Sequence, residues 1–206
     1  LFVEGSLYPY RGLVAGMGVL LVTGILDDLH DLGAVEKIGL QGVAAALLMV
    51  WGGLLVEDFG LLPGLGRFEL GMLAVPITVL CVLGLINSMN MLDGADGICG
   101  GVMLSVLFWL AVIGTGADSR VAFMLPALLA CSVLGFLVFN FPWRRSRSAS
   151  VFMGDSGSTM LGFAAAWFAI DLTFEQGTGV PPVVIAWIVA LPVFDTITLM
   201  IRRLQK

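Results

Sequence analysis

Long apolar stretches separated by short polar segments dominate this chain. Each stretch has about the length that a helix needs to cross a bilayer. Seven of them are predicted, at roughly 8–26, 38–56, 70–87, 101–116, 121–139, 158–174 and 183–201. The pattern predicts an all-α fold, a polytopic membrane helix bundle with about seven transmembrane helices, treated as a single membrane-embedded domain over residues 1–206.

Composition narrows the class of protein further. Of the 206 residues, 59% are hydrophobic and 12% are charged, and the mean hydropathy is +1.03, which is typical of a protein surrounded by lipid. The net charge of −5 argues against nucleic acid as a partner. The three cysteines are scattered along the chain, so neither a disulfide framework nor a thiolate metal site is expected.

Three acidic patches lie at the ends of apolar stretches, and counting crossings places all three on one face of the membrane. Carboxylates next to hydrocarbon are costly, so this concentration needs a reason, and a shared cationic ligand is the simplest one. The same face also carries most of the cations: Lys37, Arg144, Arg145, Arg147, Arg202, Arg203 and Lys206. The excess of lysine and arginine predicts that this face is cytoplasmic.

The first patch contains Asp27, Asp28 and Asp31. If the helix continues past the apolar stretch, Asp27 and Asp31 lie one turn apart on the same side. Like charges at this distance repel one another, and a bound cation would relieve the repulsion. A solvated helix end is the alternative explanation for this patch.

The second patch contains Asn87, Asn90, Asp93 and Asp96, and a glycine follows each of the two aspartates. Amides and carboxylates supply hard oxygen ligands, and glycines allow the backbone to turn tightly around a bound group. The pattern favours a ligand-binding loop over an ordinary capped turn.

The third patch places Asp155 directly before Ser156-Gly157-Ser158, the stretch expected to begin the sixth helix. A helix N-terminus offers free N–H groups and a positive dipole end, which suits phosphate. Because Mg²⁺ prefers one or two carboxylates together with phosphate and water, Asp155 is a candidate metal ligand.

Together the three patches resemble the motifs of the polyprenyl-phosphate N-acetylhexosamine-1-phosphate transferase family, over nearly the whole chain. The Asp-Asp-x-x-Asp form of the first patch and the basic stretch Trp143-Arg144-Arg145-Ser146-Arg147 are similar to the branch that uses undecaprenyl phosphate and UDP-GlcNAc. The resemblance implies transfer of GlcNAc-1-phosphate, with release of UMP. It also implies a bacterial inner-membrane location and a role at the start of cell-surface polysaccharide synthesis, such as that of O antigen in lipopolysaccharide.

The resemblance also implies roles for individual residues. Asp27 and Asp28 match a catalytic carboxylate pair, and Asn90 and Asp155 match positions that bind Mg²⁺, with Mn²⁺ as an alternative ion. The positions assigned to substrate binding are Asp31, Lys37, Asn87, Asp93, Asp96 and Phe152. Two alternatives stay open, because Lys37 also fits a plain cytoplasmic cation and Phe152 also fits an interfacial aromatic.

Several further expectations follow from the resemblance. The partners are a UDP-sugar, undecaprenyl phosphate and the bilayer, and a homodimer is left open. Direct attack by the lipid phosphate is favoured, while a covalent phospho-aspartate route is an alternative. The family also carries earlier spans with a basic cytoplasmic segment and a last cytoplasmic loop that bears histidines, and His30 does not match that loop. By this resemblance the chain is expected to be incomplete at both ends.

A different class of function is an ion-coupled transporter that uses Asp171 and Asp195 as relay groups. Such a protein is expected to place its functional acids near the middle of the membrane. This chain concentrates them at one face, which favours the transferase.

Overall fold

The computed structural model describes residues 8–62, 66–143, 149–174 and 180–205. Within these ranges the helices are α1 (Arg11–His30), α2 (Ala34–Gly52), α3 (Ala74–Leu92), α4 (Ile98–Gly114), α5 (Arg120–Asn140), α6 (Gly154–Phe174), α7 (Pro182–Ile188) and α8 (Ala190–Leu204). Two short strands, β1 (Asp58–Leu62) and β2 (Gly66–Glu69), form an antiparallel hairpin between α2 and α3.

Helix α6 lies at the centre of the bundle and packs against α1, α3 and α4. Its residues from Phe163 to Ile170 are all buried. Gly162 permits the closest approach to α3, because a Cβ atom there would lie 2.7 Å from the backbone of Ile86. The helix that carries Asp155 is therefore held on several sides by protein.

The prediction of an all-α membrane bundle is confirmed, but the count of seven spans is not. Four described helices are long and apolar enough to cross a membrane, and a fifth crossing is counted if α7 and α8 form one span. Helix α4 is apolar but has 17 residues, and α6 is not among the spans.

The last predicted stretch, 183–201, is not one continuous helix. It is broken at Val189 into α7 and α8, which are bent by 63° relative to each other. Pro192 lies in the first turn of α8 and has no N–H to donate to the carbonyl of Ile188, so an unbroken helix would lose a hydrogen bond there.

Several helices extend further into the acidic patches than predicted. Helix α1 continues through Asp27 and Asp28 to His30, and α3 continues through Asn90 to Leu92. Helix α6 begins at Gly154, so Asp155 lies in its first turn and not in the loop before it. The polar side chains of these patches are therefore held on helix surfaces.

The hairpin is an element that the hydrophobic pattern did not predict. Buried Asp58 accepts hydrogen bonds from Arg67 Nε at 3.0 Å and Nη2 at 2.7 Å, and also from the Gly60 N–H. These charged hydrogen bonds lower the pKa of the Asp58 carboxyl, while its burial opposes the shift. Because the hairpin joins the end of α2 to the start of α3, it lies at the opposite end of the bundle from Asp27.

Candidate active site

A polar cleft lies at the end of the bundle where α1 and α3 end and α2 and α6 begin. Its cavity volume is about 50 Å³, and the empty space rises to about 390 Å³ when the open solvent at its mouth is included. The residues that line it are Leu20, Thr23, Gly24, Asp27, Lys37, Gln41, Asn87, Asn90, Asp155 and Thr159. All three acidic patches of the sequence reach this end of the bundle. The first patch contributes Asp27 to the lining, the second contributes Asn87 and Asn90, and the third contributes Asp155.

Lys37 places a positive charge between two of the carboxylates. Its Nζ atom lies 2.6 Å from Asp27 Oδ2 and 3.6 Å from Asp155 Oδ2. The Asp27 side chain is 12% exposed and the Lys37 side chain 35% exposed, so this charge cluster is partly shielded from water. The three residues come from α1, α2 and α6, and the charge of Lys37 stabilises both carboxylates across the cleft.

The end of α1 holds Asp27 in position. The Asp31 N–H donates to the Asp27 backbone carbonyl, and Asp31 adopts a left-handed conformation that ends the helix. The Leu32 N–H then donates to Asp27 Oδ1 at 3.0 Å. One oxygen of the carboxylate is thus directed to the backbone and the other to Lys37.

Asn87 and Gln41 form a reciprocal amide pair across α2 and α3. The Asn87 Nδ2 group donates to Gln41 Oε1 at 2.7 Å, and the Gln41 Nε2 group donates to Asn87 Oδ1 at 3.3 Å. Asn87 Nδ2 also donates to the Leu83 carbonyl. Both hydrogens of Asn87 Nδ2 are therefore engaged within the protein.

Asn90 lies one turn beyond Asn87 and contacts α6. Its Nδ2 group donates to the hydroxyl of Ser158 at 3.2 Å. Asp155 lies in the first turn of α6, whose N-terminal N–H groups have no acceptor within the helix, and the Gly154 N–H donates to Asp93. This arrangement can bind an anion at the helix end and a cation at the carboxylate.

Asp93 and Asp96 lie in the turn after α3, beside the cleft and not in its lining. Burial raises the pKa of Asp93, and the negative charge of Asp155 raises it further. Asp96 Oδ2 accepts a hydrogen bond from the Ala149 N–H at 2.9 Å. Asn140 joins the same region, accepting from the Gly97 N–H and donating to the Val151 carbonyl.

Besides Asp93 and Asp96, three further predicted site residues do not line the cleft. Asp28 and Asp31 are exposed and absent from its lining. Helical geometry turns Asp28 about 100° around α1 from Asp27, which explains why adjacent residues differ. Phe152 is 73% exposed and precedes α6.

A glycine on α1 permits the close contact that forms one wall of the cleft. A Cβ atom at Gly24 would lie 2.6 Å from Cα of Ser156. Any larger side chain would therefore separate α1 from the beginning of α6. Asp27 and Asp155 are kept near one another by this contact.

The oxygen donors of the cleft suit a hard divalent cation. The described residues contain no group of three or more histidine, cysteine, aspartate or glutamate side chains that could hold a metal. An ion here would take Asp155, with Asp27 close by, and the amide oxygen of Asn90, and would obtain its other ligands from water and phosphate. That is the donor set that Mg²⁺ prefers, and Lys37 already shows that the cleft accepts positive charge.

Sequence reasoning missed Gln41, Ser158 and Thr159 as residues of this region. Gln41 lies four residues after Lys37, so helical spacing placed it on the same face of α2. Ser158 and Thr159 follow Asp155 by three and four residues in the same way. In each case, a polar residue one helical turn from a predicted site residue indicated that it belongs to the same region.

The two acids of the transporter alternative do not approach this cleft. Asp171 is near the other end of α6, about 25 Å from Asp155 along the helix axis, and accepts a hydrogen bond from the Tyr10 hydroxyl. Asp195 is exposed on α8. The structure gives no support to a relay through the membrane.

A protein-family model described as glycosyl transferase family 4 matches residues 10–173. The chain therefore belongs to glycosyl transferase family 4. The match contains α1 to α5, α6 except its last residue, and every residue that lines the cleft.

Individual relatives point to one branch of the family. The chain is 33% identical over 93% of its length to a Bacillus subtilis protein named "Probable undecaprenyl-phosphate N-acetylglucosaminyl 1-phosphate transferase". It is 32% identical over 96% of its length to the Escherichia coli K12 undecaprenyl-phosphate alpha-N-acetylglucosaminyl 1-phosphate transferase. The match covers 52% and 54% of these relatives respectively, so the chain spans about half their length.

Proposed function

We propose that this protein transfers GlcNAc-1-phosphate from UDP-GlcNAc to undecaprenyl phosphate and releases UMP. The observation that carries the proposal is the meeting of Asp27, Lys37, Asn90 and Asp155 in one cleft, in a chain of this family. The names of the relatives supply the sugar and the lipid. By the same resemblance, the reaction would begin cell-surface polysaccharide synthesis.

The proposed reaction is a single displacement at the β-phosphorus of the UDP-sugar. An oxygen of the lipid phosphate forms a bond to this phosphorus, the bond to the bridging oxygen breaks, and UMP leaves with that oxygen. The lipid phosphate is already anionic at neutral pH, so no deprotonation has to precede attack. Asp27 is paired with Lys37 at 2.6 Å, and an ion-paired carboxylate is a weaker nucleophile, which favours this route over a phospho-aspartate.

The residues of the cleft bind and orient the diphosphate in this mechanism. Lys37 and the N-terminal N–H groups of α6 bind its oxygens. Asp155 and the amide oxygen of Asn90 would hold Mg²⁺, with Asp27 beside them. When bound, that ion would neutralise the charge that develops on the phosphates.

The mouth of the cleft is proposed to face the cytoplasm of a bacterial inner membrane. Arg11 and Arg120 begin helices at the opposite end of the bundle, and Arg67 lies in the hairpin there. Counting helices along the chain places most lysines and arginines on the cleft side of the membrane. Four of these, Arg144, Arg145, Arg147 and Lys206, lie outside the described residues. By the positive-inside rule, the end of the bundle that carries the cleft faces the cytoplasm.

The test measures UMP release from UDP-GlcNAc by the purified protein in detergent, with undecaprenyl phosphate and Mg²⁺. We expect release that requires both the lipid phosphate and the divalent cation, with formation of a lipid-linked GlcNAc diphosphate. Release that is independent of the lipid would indicate a nucleotide hydrolase. Absence of release, with cation flux in proteoliposomes, would support the transporter.

A further inference from the structure

Ser158 is a fully buried hydroxyl that contacts a proposed metal ligand. Its exposure is 0%, and it lies on α6 one turn after Asp155. The Asn90 Nδ2 group on α3 donates to its Oγ atom at 3.2 Å. The two residues therefore connect α3 to α6 immediately behind the cleft.

The hydroxyl proton of Ser158 is already used within α6. Ser158 Oγ donates to the carbonyl of Gly154 at 3.0 Å, with the carbonyl of Asp155 as a second acceptor at 3.3 Å. A hydroxyl has one proton, so the side that faces Asn90 presents lone pairs. Ser158 can then accept a hydrogen bond from Asn90 but cannot donate one without losing its bond to the helix.

This arrangement determines which atom of the Asn90 amide faces the cleft. The nitrogen donates to Ser158, which does not line the cleft, and the oxygen lies on the other side of the amide group from that bond, where it is left for the cleft. The reversed amide would place two acceptors against each other or break the bond within α6. A buried acceptor left without a donor is costly, so the present orientation is favoured.

We infer that Ser158 is a positioning residue that directs the oxygen of Asn90 toward the divalent cation. The inference rests on the proposed metal role of Asn90 and extends it to a residue that never touches the ion. Without Ser158, the Asn90 amide rotates freely between a liganding orientation and a non-liganding one. Affinity for the cation falls, because part of the population presents an N–H group to it.

The test is a double-mutant cycle with Mn²⁺ alone as the probe, read by the electron paramagnetic resonance signal of free Mn²⁺. We expect Ser158→Ala to weaken Mn²⁺ binding by about twofold, because two equally populated amide orientations halve the fraction of protein that presents oxygen to the ion. In the Asn90→Ala background the same substitution should change affinity little, because no amide is left for Ser158 to orient. Ser158→Cys, which keeps the size but accepts hydrogen bonds weakly, should behave like Ser158→Ala.

A matched control is Ser132→Ala on α5, which removes another hydroxyl that donates to a carbonyl four residues earlier. It should leave Mn²⁺ affinity unchanged. Equal weakening by Ser158→Ala in both backgrounds would mean that Ser158 acts through helix packing and would overturn the inference. Absence of Mn²⁺ binding by the unmodified protein would also overturn it. Mn²⁺ binding with the expected coupling but no sugar-phosphate transfer would contradict the proposed function alone.

Discussion

Single side chains in this protein derive their roles from which partner they meet across helices. Asp27 meets Lys37 at 2.6 Å, whereas neighbouring Asp28 is exposed and lines no part of the cleft. The catalytic role that the resemblance implies for both aspartates stays a prediction. Asp27 lines the cleft and Asp28 does not, so Asp27 is the better candidate to act on substrate.

Asp155 is the side chain whose charge matters most for the proposed chemistry. We expect Asp155→Asn to reduce transfer by at least about a hundredfold, because it removes a carboxylate that would hold Mg²⁺ and stabilise the transition state. The fold should survive, since Asp155 is half-exposed and buried packing is unchanged. The measurement is kcat for UMP release together with the melting temperature.

A matched control for this change is Asp118→Asn, in an exposed turn between α4 and α5 at the opposite end of the bundle. It should retain the parent rate. Near-parental turnover of Asp155→Asn at limiting Mg²⁺ would remove the metal role from Asp155.

At the scale of elements, the contact between α1 and α6 sets the width of the cleft. We expect Gly24→Ala to lower the free energy of unfolding by about 1–3 kcal/mol and to reduce transfer, because its Cβ atom would lie 2.6 Å from Cα of Ser156. The measurements are thermal unfolding in detergent and the rate of UMP release.

Gly18→Ala on the same helix is the matched control, since a Cβ atom there meets nothing within 4 Å. Alanine favours helix over glycine, so this variant should be neutral or slightly more stable. Equal effects of the two substitutions would show that helix propensity, and not the contact with Ser156, decides the outcome.

The hairpin should depend on pH through Asp58. Its carboxyl has a pKa below the ordinary value of 3.8, because Arg67 donates hydrogen bonds to the charged form. A lowered folded-state pKa means that this contribution to stability is present above about pH 4 and lost as the pH falls through the folded value. Amide exchange in β1 and β2, corrected for intrinsic rates, should therefore accelerate in acid.

Asp58→Asn should show fast exchange at neutral pH and little further change in acid. Glu69→Gln, an exposed acid on β2, serves as the comparison and should retain the pH dependence. A hairpin in the parent protein whose exchange is constant from pH 6 to pH 2 would exclude Asp58 as the group that stabilises it.

For the whole molecule, the proposed orientation predicts accessibility from the two sides of the membrane. Gly94 is exposed beside the cleft and Asp118 is exposed at the opposite end. In a background without Cys81, Cys99 and Cys131, an impermeant thiol reagent should label Asp118→Cys in intact cells. Gly94→Cys should react only after permeabilisation, and its labelling from outside would contradict a cytoplasmic cleft.

The sequence alone determined the class of fold and the end of the bundle at which the chemistry lies. Hydropathy is a local property, so apolar stretches predict membrane helices without knowledge of their partners. Helices that cross in alternating directions bring Asp27, Asn90 and Asp155 to one end, and the structure confirms their meeting. The count of seven spans is not confirmed, and the bend between α7 and α8 has a local signal in Pro192, whose missing N–H interrupts the helix.

Only the tertiary structure decided which polar groups share the cleft and how they are oriented. Gln41 and Ser158 became visible as partners of Asn87 and Asn90 once α2, α3 and α6 were packed. Asp28 does not line the cleft, because adjacent residues on a helix point about 100° apart. Such distinctions depend on rotations and contacts between segments that are distant in sequence, and spacing along one helix cannot specify them.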